Sequence, residues 1–126
     1  MSSTPVLFIA AALLVALGLF HSILGERYII RRLLRREDLP KLFGGREFTA
    51  GTIRFAWHIT TLLALGVAAV LVLVAVDAEP RAVVAAIGIT CLACAVPPLV
   101  FTRGRHLSWV VFLAAGTLCL VASLGA

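Results

Sequence analysis

The alternation of apolar and polar positions divides the chain into four long apolar runs separated by short polar stretches. The runs cover residues 6–24, 53–76, 82–101 and 107–124, and apolar side chains occupy every face of a helix within them. Leu63 to Val76 contains no polar side chain at all. A membrane strand would alternate apolar and polar over about ten residues, a pattern these runs lack. Each run is near the roughly twenty residues a helix needs to cross a hydrocarbon layer of about 30 Å. Helices also satisfy their own backbone where no water is present. The expected fold is therefore all-α, a polytopic membrane protein built as a four-transmembrane-helix bundle, with residues 1–126 forming one domain. The first run lacks a basic segment ahead of it and a small-residue cleavage site after it, so it is expected to be a retained helix rather than a signal peptide.

The connection after the first run has an order of its own. From Glu26 to Arg36, Ile29, Ile30, Leu33 and Leu34 recur at three- and four-residue spacing between paired arginines, which predicts a basic amphipathic helix. It should stop near Pro40, because the residue before a proline disfavours helical geometry. Gly44-Gly45 then predicts a turn, without the pattern of a phosphate-binding loop. Pro97-Pro98 is expected to loosen the end of the third helix. Gly18, Gly66, Gly88 and Gly116, with small neighbours such as Ala64 and Ala114, predict close helix packing, and the bundle could also pair with a second copy.

Charge changes the picture by giving it a direction. Arg27, Arg31, Arg32, Arg35, Arg36, Lys41 and Arg46 lie between the first two runs, Arg54 begins the second helix, and Arg103 and Arg105 lie between the last two. The middle connection has one cation, Arg81, and the N-terminal segment none. Cytoplasmic loops retain Lys and Arg, so residues 25–52 and 102–106 are expected on the cytoplasmic side of the cell membrane, with both termini outside. The formal charge of +5 sits beside apolar helices with no module to present it to a nucleic acid. Anionic lipid headgroups are the expected partner, with a larger membrane complex as a further one. Composition agrees, with 62% hydrophobic and 13% charged residues and a mean hydropathy of +1.10, beyond what a soluble domain shows.

The candidate chemistry is carried by the three histidines, each at the cytoplasmic end of a different helix. Advancing about 100° per residue, Arg54, His58 and Thr61 share one face, His106 and Trp109 another, and Gly18, His21 and Gly25 a third. Imidazoles from His21, His58 and His106, with Glu26, would suit a transition metal. Two of the histidines could instead ligate a haem. A quinone head could bond to His58 and Thr61 and lie against Trp57 or Trp109. Glu26 is about 140° from His21 on a regular helix, so both address one centre only if the helix distorts at Gly25. Otherwise Glu26 should pair with Arg54 or a loop arginine. Cys91 and Cys94, with Cys119, lie deep in apolar surroundings and are expected to pack rather than react. The functional expectation is a histidine-lined metal, haem or quinone site near the cytoplasmic face, with electron transfer as the role such a site would serve. The alternatives are an accessory or scaffolding subunit and a small transporter or channel.

Overall fold

A computed structural model describes residues 3–125, and its regular structure is helical. Helix α1 (Ser3–Gly25) continues without a break through a π-helical segment (Glu26–Ile30) into a single turn, α2 (Arg31–Leu33). Helices α3 (Glu47–Ala75), α4 (Pro80–Phe101) and α5 (Ser108–Gly125) follow. All four long helices are long and apolar enough to cross a membrane.

Two boundaries differ from expectation. The amphipathic stretch leaves helical geometry after Leu33 rather than near Pro40, and of its apolar residues Ile30 is buried while Ile29 and Leu33 stay exposed. Helix α3 begins at Glu47 rather than at 53, because its first turns are polar and a hydropathy reading sees only the apolar part. The prolines do not interrupt α4, which runs to Phe101 with Pro98 fully buried. The Thr102 hydroxyl donates to the Pro98 carbonyl at 2.6 Å beyond its end.

The connection before α3 is folded. Leu42 and Gly45 exchange backbone bonds of 2.9 and 3.3 Å around Phe43 and Gly44, both at positive φ (54° and 86°), the two-residue turn that matches strand twist. Arg46 donates to the Arg36 carbonyl at 2.7 Å and Thr49 to that of Pro40 at 2.8 Å, tying the loop to the start of α3. Helices α3 and α4 each end with a non-glycine residue at positive φ, Asp77 and Arg103. The Ala78 and Gly104 amides close back onto Leu73 and Leu99 at 2.9 and 2.8 Å, so the terminal carbonyls are satisfied.

Packing follows chain order: α1 lies against α3, α3 against α4, and α4 against α5. The order makes a row in which α1 and α5 are the outer members. Small residues make most of the core, among them Ala11, Ala68, Ala75, Cys94 and Ala95, with Gly18, Gly66, Gly88 and Gly116 at the crossings, while the large buried Ile30 and Phe55 lie toward the arginine-rich end. Large apolar side chains such as Leu13, Phe20, Ile23, Val111 and Leu118 point outward, each more than 60% exposed. A water-soluble core has the opposite order of sizes.

Candidate functional site

At the arginine-rich end of the row, α1 and α3 meet through polar side chains. The stripe Gly18, His21, Gly25 faces α3, and the lack of a side chain at Gly25 leaves room for the Trp57 indole, which any Cβ there would strike. Trp57 Nε1 donates to the His21 carbonyl at 3.1 Å, and its ring stacks on the His21 imidazole at 4.3 Å and 8°. The Thr60 hydroxyl donates to the Trp57 carbonyl at 2.7 Å and lies 2.9 Å from His21 Nε2. A hydroxyl has one hydrogen, so His21 Nε2 is the donor in that second contact.

The opposing stripe, Arg54, His58 and Thr61, reaches back to α1. Glu26 opens the π-helical segment, where the Arg31 amide closes on the Glu26 carbonyl in the wider i→i+5 turn. The backbone thus distorts directly after Gly25, and the Glu26 carboxylate turns to α3. Arg54 grips it with two bonds, Nη2 to Oε1 at 2.7 Å and Nε to Oε2 at 3.3 Å, and Arg31 approaches to 3.5 Å. His58 Nε2 stands 3.2 Å from the same Oε2. On its other side His58 Nδ1 is 2.9 Å from Ser22 Oγ, which is 2.7 Å from Thr61 Oγ1, and Thr61 reaches the Gly18 carbonyl at 3.0 Å.

Donor counting gives this chain two complete registers. With His58 neutral and its proton on Nε2, Thr61 gives its one hydrogen to Ser22 instead of to the Gly18 carbonyl, which keeps its bond in the α1 ladder, and Ser22 donates to His58. With His58 cationic, the two hydroxyl contacts reverse: His58 donates to Ser22 and Ser22 to Thr61, Thr61 gives its hydrogen to the Gly18 carbonyl, and Nε2 still donates to Glu26. Ser22, His58 and Glu26 line one open cleft of about 630 Å³, together with Ile23, Arg27 and Arg31. A smaller recess of about 150 Å³ lies beside it, along Gly18, His21, Thr60 and Thr61.

His106 belongs to a different neighbourhood. It precedes α5, with Nδ1 2.9 Å from Ser108 Oγ and its ring edge-on to Phe55 at 4.8 Å. Trp109 donates to the Gly104 carbonyl at 3.0 Å. Among the described residues no group of three or more His, Cys, Asp or Glu side chains is placed to hold a metal ion. Cys91, Cys94 and Cys119 are free thiols, with Cys94 buried in α4. Sequence reasoning placed Arg54, His58 and Thr61 on one face but did not assign Ser22 or Thr60 to the site. The signal for Ser22 was its spacing of four from Glu26, which puts both on the face that His58 meets. No protein-family model, no curated protein and no solved structure matches the chain.

Proposed function

We propose that the chain is a multi-pass membrane protein whose α1–α3 cleft receives the anionic head of a membrane lipid. Support for the membrane reading comes from the inverted order of sizes, since small residues let helices approach in lipid while large apolar side chains face the acyl chains. The arginines of the first and last connections favour the orientation with both termini outside. The single observation that carries the lipid reading is the lining of the cleft: Ser22 and His58 offer hydrogen bonds while Arg27 and Arg31 supply charge. Arg31 and Arg54 both pair with the one carboxylate of Glu26 and Arg27 also lines the cleft, so positive charge is in excess there and the cleft attracts an anion more than a neutral quinone. Metal and haem readings need free imidazole nitrogens at one point. They are less favoured here, because His21 Nε2 is engaged with Thr60 and His106 sits with Phe55.

Native mass spectrometry of the protein titrated with phosphatidylglycerol or phosphatidylcholine tests the reading. Phosphatidylglycerol should remain bound at collision energies that strip phosphatidylcholine. Each juxtamembrane cation contributes on the order of 1 kcal/mol, so Arg27→Gln and Arg31→Gln should each weaken binding about fivefold. Equal retention of the two lipids, or no change in the double variant, would sink the proposal.

A further inference from the structure

We infer that Ser22 is the nucleophile of an acyl-transfer site in this cleft, with His58 as its general base and Glu26 as the residue that positions the His58 ring. The inference rests on the lipid-cleft reading and adds a reaction to it. A serine inside a helix ordinarily returns its hydroxyl to a carbonyl of its own helix. Ser22 Oγ instead contacts only α3 side chains, His58 at 2.9 Å and Thr61 at 2.7 Å. The opposite ring nitrogen of His58 is 3.2 Å from a carboxylate that Arg54 already fixes with two bonds. Nucleophile, base and orienting carboxylate therefore stand in line within hydrogen-bond reach, the relation that defines a catalytic triad independently of fold or chain order. Packing alone does not ask for this arrangement, and all three groups open onto the same cleft.

The substrate class that fits is a carboxylic ester of a lipid with an anionic head. Ser22 Oγ bonds to the acyl carbon as its proton passes to His58 Nδ1, and the imidazolium so formed stays held by Glu26 through Nε2. Thr61 can then swing its hydrogen from Ser22 to the Gly18 carbonyl, 3.0 Å away, or keep it on Ser22. Arg27 and Arg31 supply positive charge for the tetrahedral oxyanion and for the head. The bond from the acyl carbon to the lipid backbone alcohol that carries the head breaks, and His58 returns its proton to that oxygen. Water, deprotonated by His58, then attacks the acyl-serine; the bond from the acyl carbon to Oγ breaks, His58 gives the proton to Oγ, and the fatty acid leaves.

The test is covalent labelling of the full-length protein in phosphatidylglycerol vesicles with a fluorophosphonate, followed by peptide mass spectrometry. The expected result is an adduct on Ser22, absent in Ser22→Ala and slowed at least about 100-fold in His58→Ala, the range a general base contributes. His58→Gln keeps a hydrogen-bonding side chain without a basic nitrogen and should be as slow, which separates chemistry from folding. Glu26→Gln should also slow labelling, and Glu26→Asp should recover part of the rate. A wild-type protein that stays helical by circular dichroism and takes no label on Ser22 overturns the inference, as does labelling indifferent to His58→Gln. If phosphatidylglycerol stays bound in the mass spectrometer while Ser22 stays unlabelled, the nucleophile is wrong and the lipid cleft stands. Labelling without lipid selectivity overturns the cleft reading and leaves the nucleophile.

Discussion

Helix pairs α1–α3 and α4–α5 solve the same packing problem by different means. Both are antiparallel and both approach closely at glycines: Gly18 opposite Thr61 and Ala64, Gly88 opposite the Gly116 carbonyl and Cys119. Among the described residues, no side-chain hydrogen bond crosses from α4 to α5. Between α1 and α3 there is a chain from Gly18 through Thr61, Ser22 and His58 to Glu26 and Arg54, with His21, Trp57 and Thr60 beside it. The α4–α5 pair shows what close packing alone requires. The polar surplus of α1–α3 therefore exceeds what helix packing asks for, and it sits at an outer edge of the row, as the proposed cleft requires.

Removing the carboxylate should break the comparison most severely. Glu26→Ala leaves Arg54 and His58 facing each other without their common acceptor. A hydrogen bond to a charged group contributes about 1.5–3 kcal/mol, and partial exposure of both partners lets water recover some of it, so the expected loss is about 3 kcal/mol. Equilibrium unfolding in mixed micelles followed by circular dichroism measures it. Ser22 labelling should fall to background in the same variant. A loss below about 1 kcal/mol would mean that the polar chain contributes no more than the glycine contacts do.

The complementary change is Gly116→Val in α5. A Cβ at Gly116 would lie 2.7 Å from Leu92 and 2.9 Å from the Gly88 carbonyl, so α4 and α5 must separate. Overpacking of this kind costs about 1–3 kcal/mol. The same unfolding assay should show about 2 kcal/mol of destabilisation with Ser22 labelling unchanged, because the α1–α3 pair does not touch α5 through any of its polar groups. Loss of labelling here would show that the two pairs are not separable and would weaken the assignment of the polar surplus to a site.

These contrasts explain what could be read from residues alone. Four helices follow from uninterrupted apolar runs, because length and hydropathy are local properties. The shared face of Arg54, His58 and Thr61 follows from helical period, and the pairing of Glu26 with Arg54 was one of two readings that the sequence left open. The row-like order was not legible, since apolar surface on every side does not say which face meets a helix and which meets lipid. Nor was the separation of His106 from His58: both stand at one end of the chain's helices, but His106 packs on Phe48 and Phe55 of α3 and bonds to Ser108, and no sequence period encodes that choice of neighbours. Ser22 shares a face with Glu26 in the sequence, but nothing there shows that His58 meets that face while the His21 ring is occupied by Trp57 and Thr60.

The smallest expected effect uses the same ion-pair chemistry in the open. Arg36 donates two hydrogen bonds to Asp38, at 2.9 and 2.6 Å, in the exposed connection between α2 and α3. Those bonds, with the nearby positive charge, hold the Asp38 carboxyl down to about 2. A carboxyl depressed in the folded state favours folding fully above its ordinary value of 3.8, and that contribution fades as pH falls through about 2. Carbon-detected NMR of the Asp38 carboxyl should therefore give a midpoint near 2, returning toward the ordinary range in Arg36→Gln. The unfolding midpoint of the helices at neutral pH should fall only slightly in that variant, and less than in Glu26→Ala, because an exposed pair is screened by water and salt. The Arg54–Glu26 pair differs only in where it sits, among helices and beside His58. If Arg36→Gln destabilised the helices as much as Glu26→Ala does, position would not be what distinguishes the two pairs, and the cleft would lose its claim to be special.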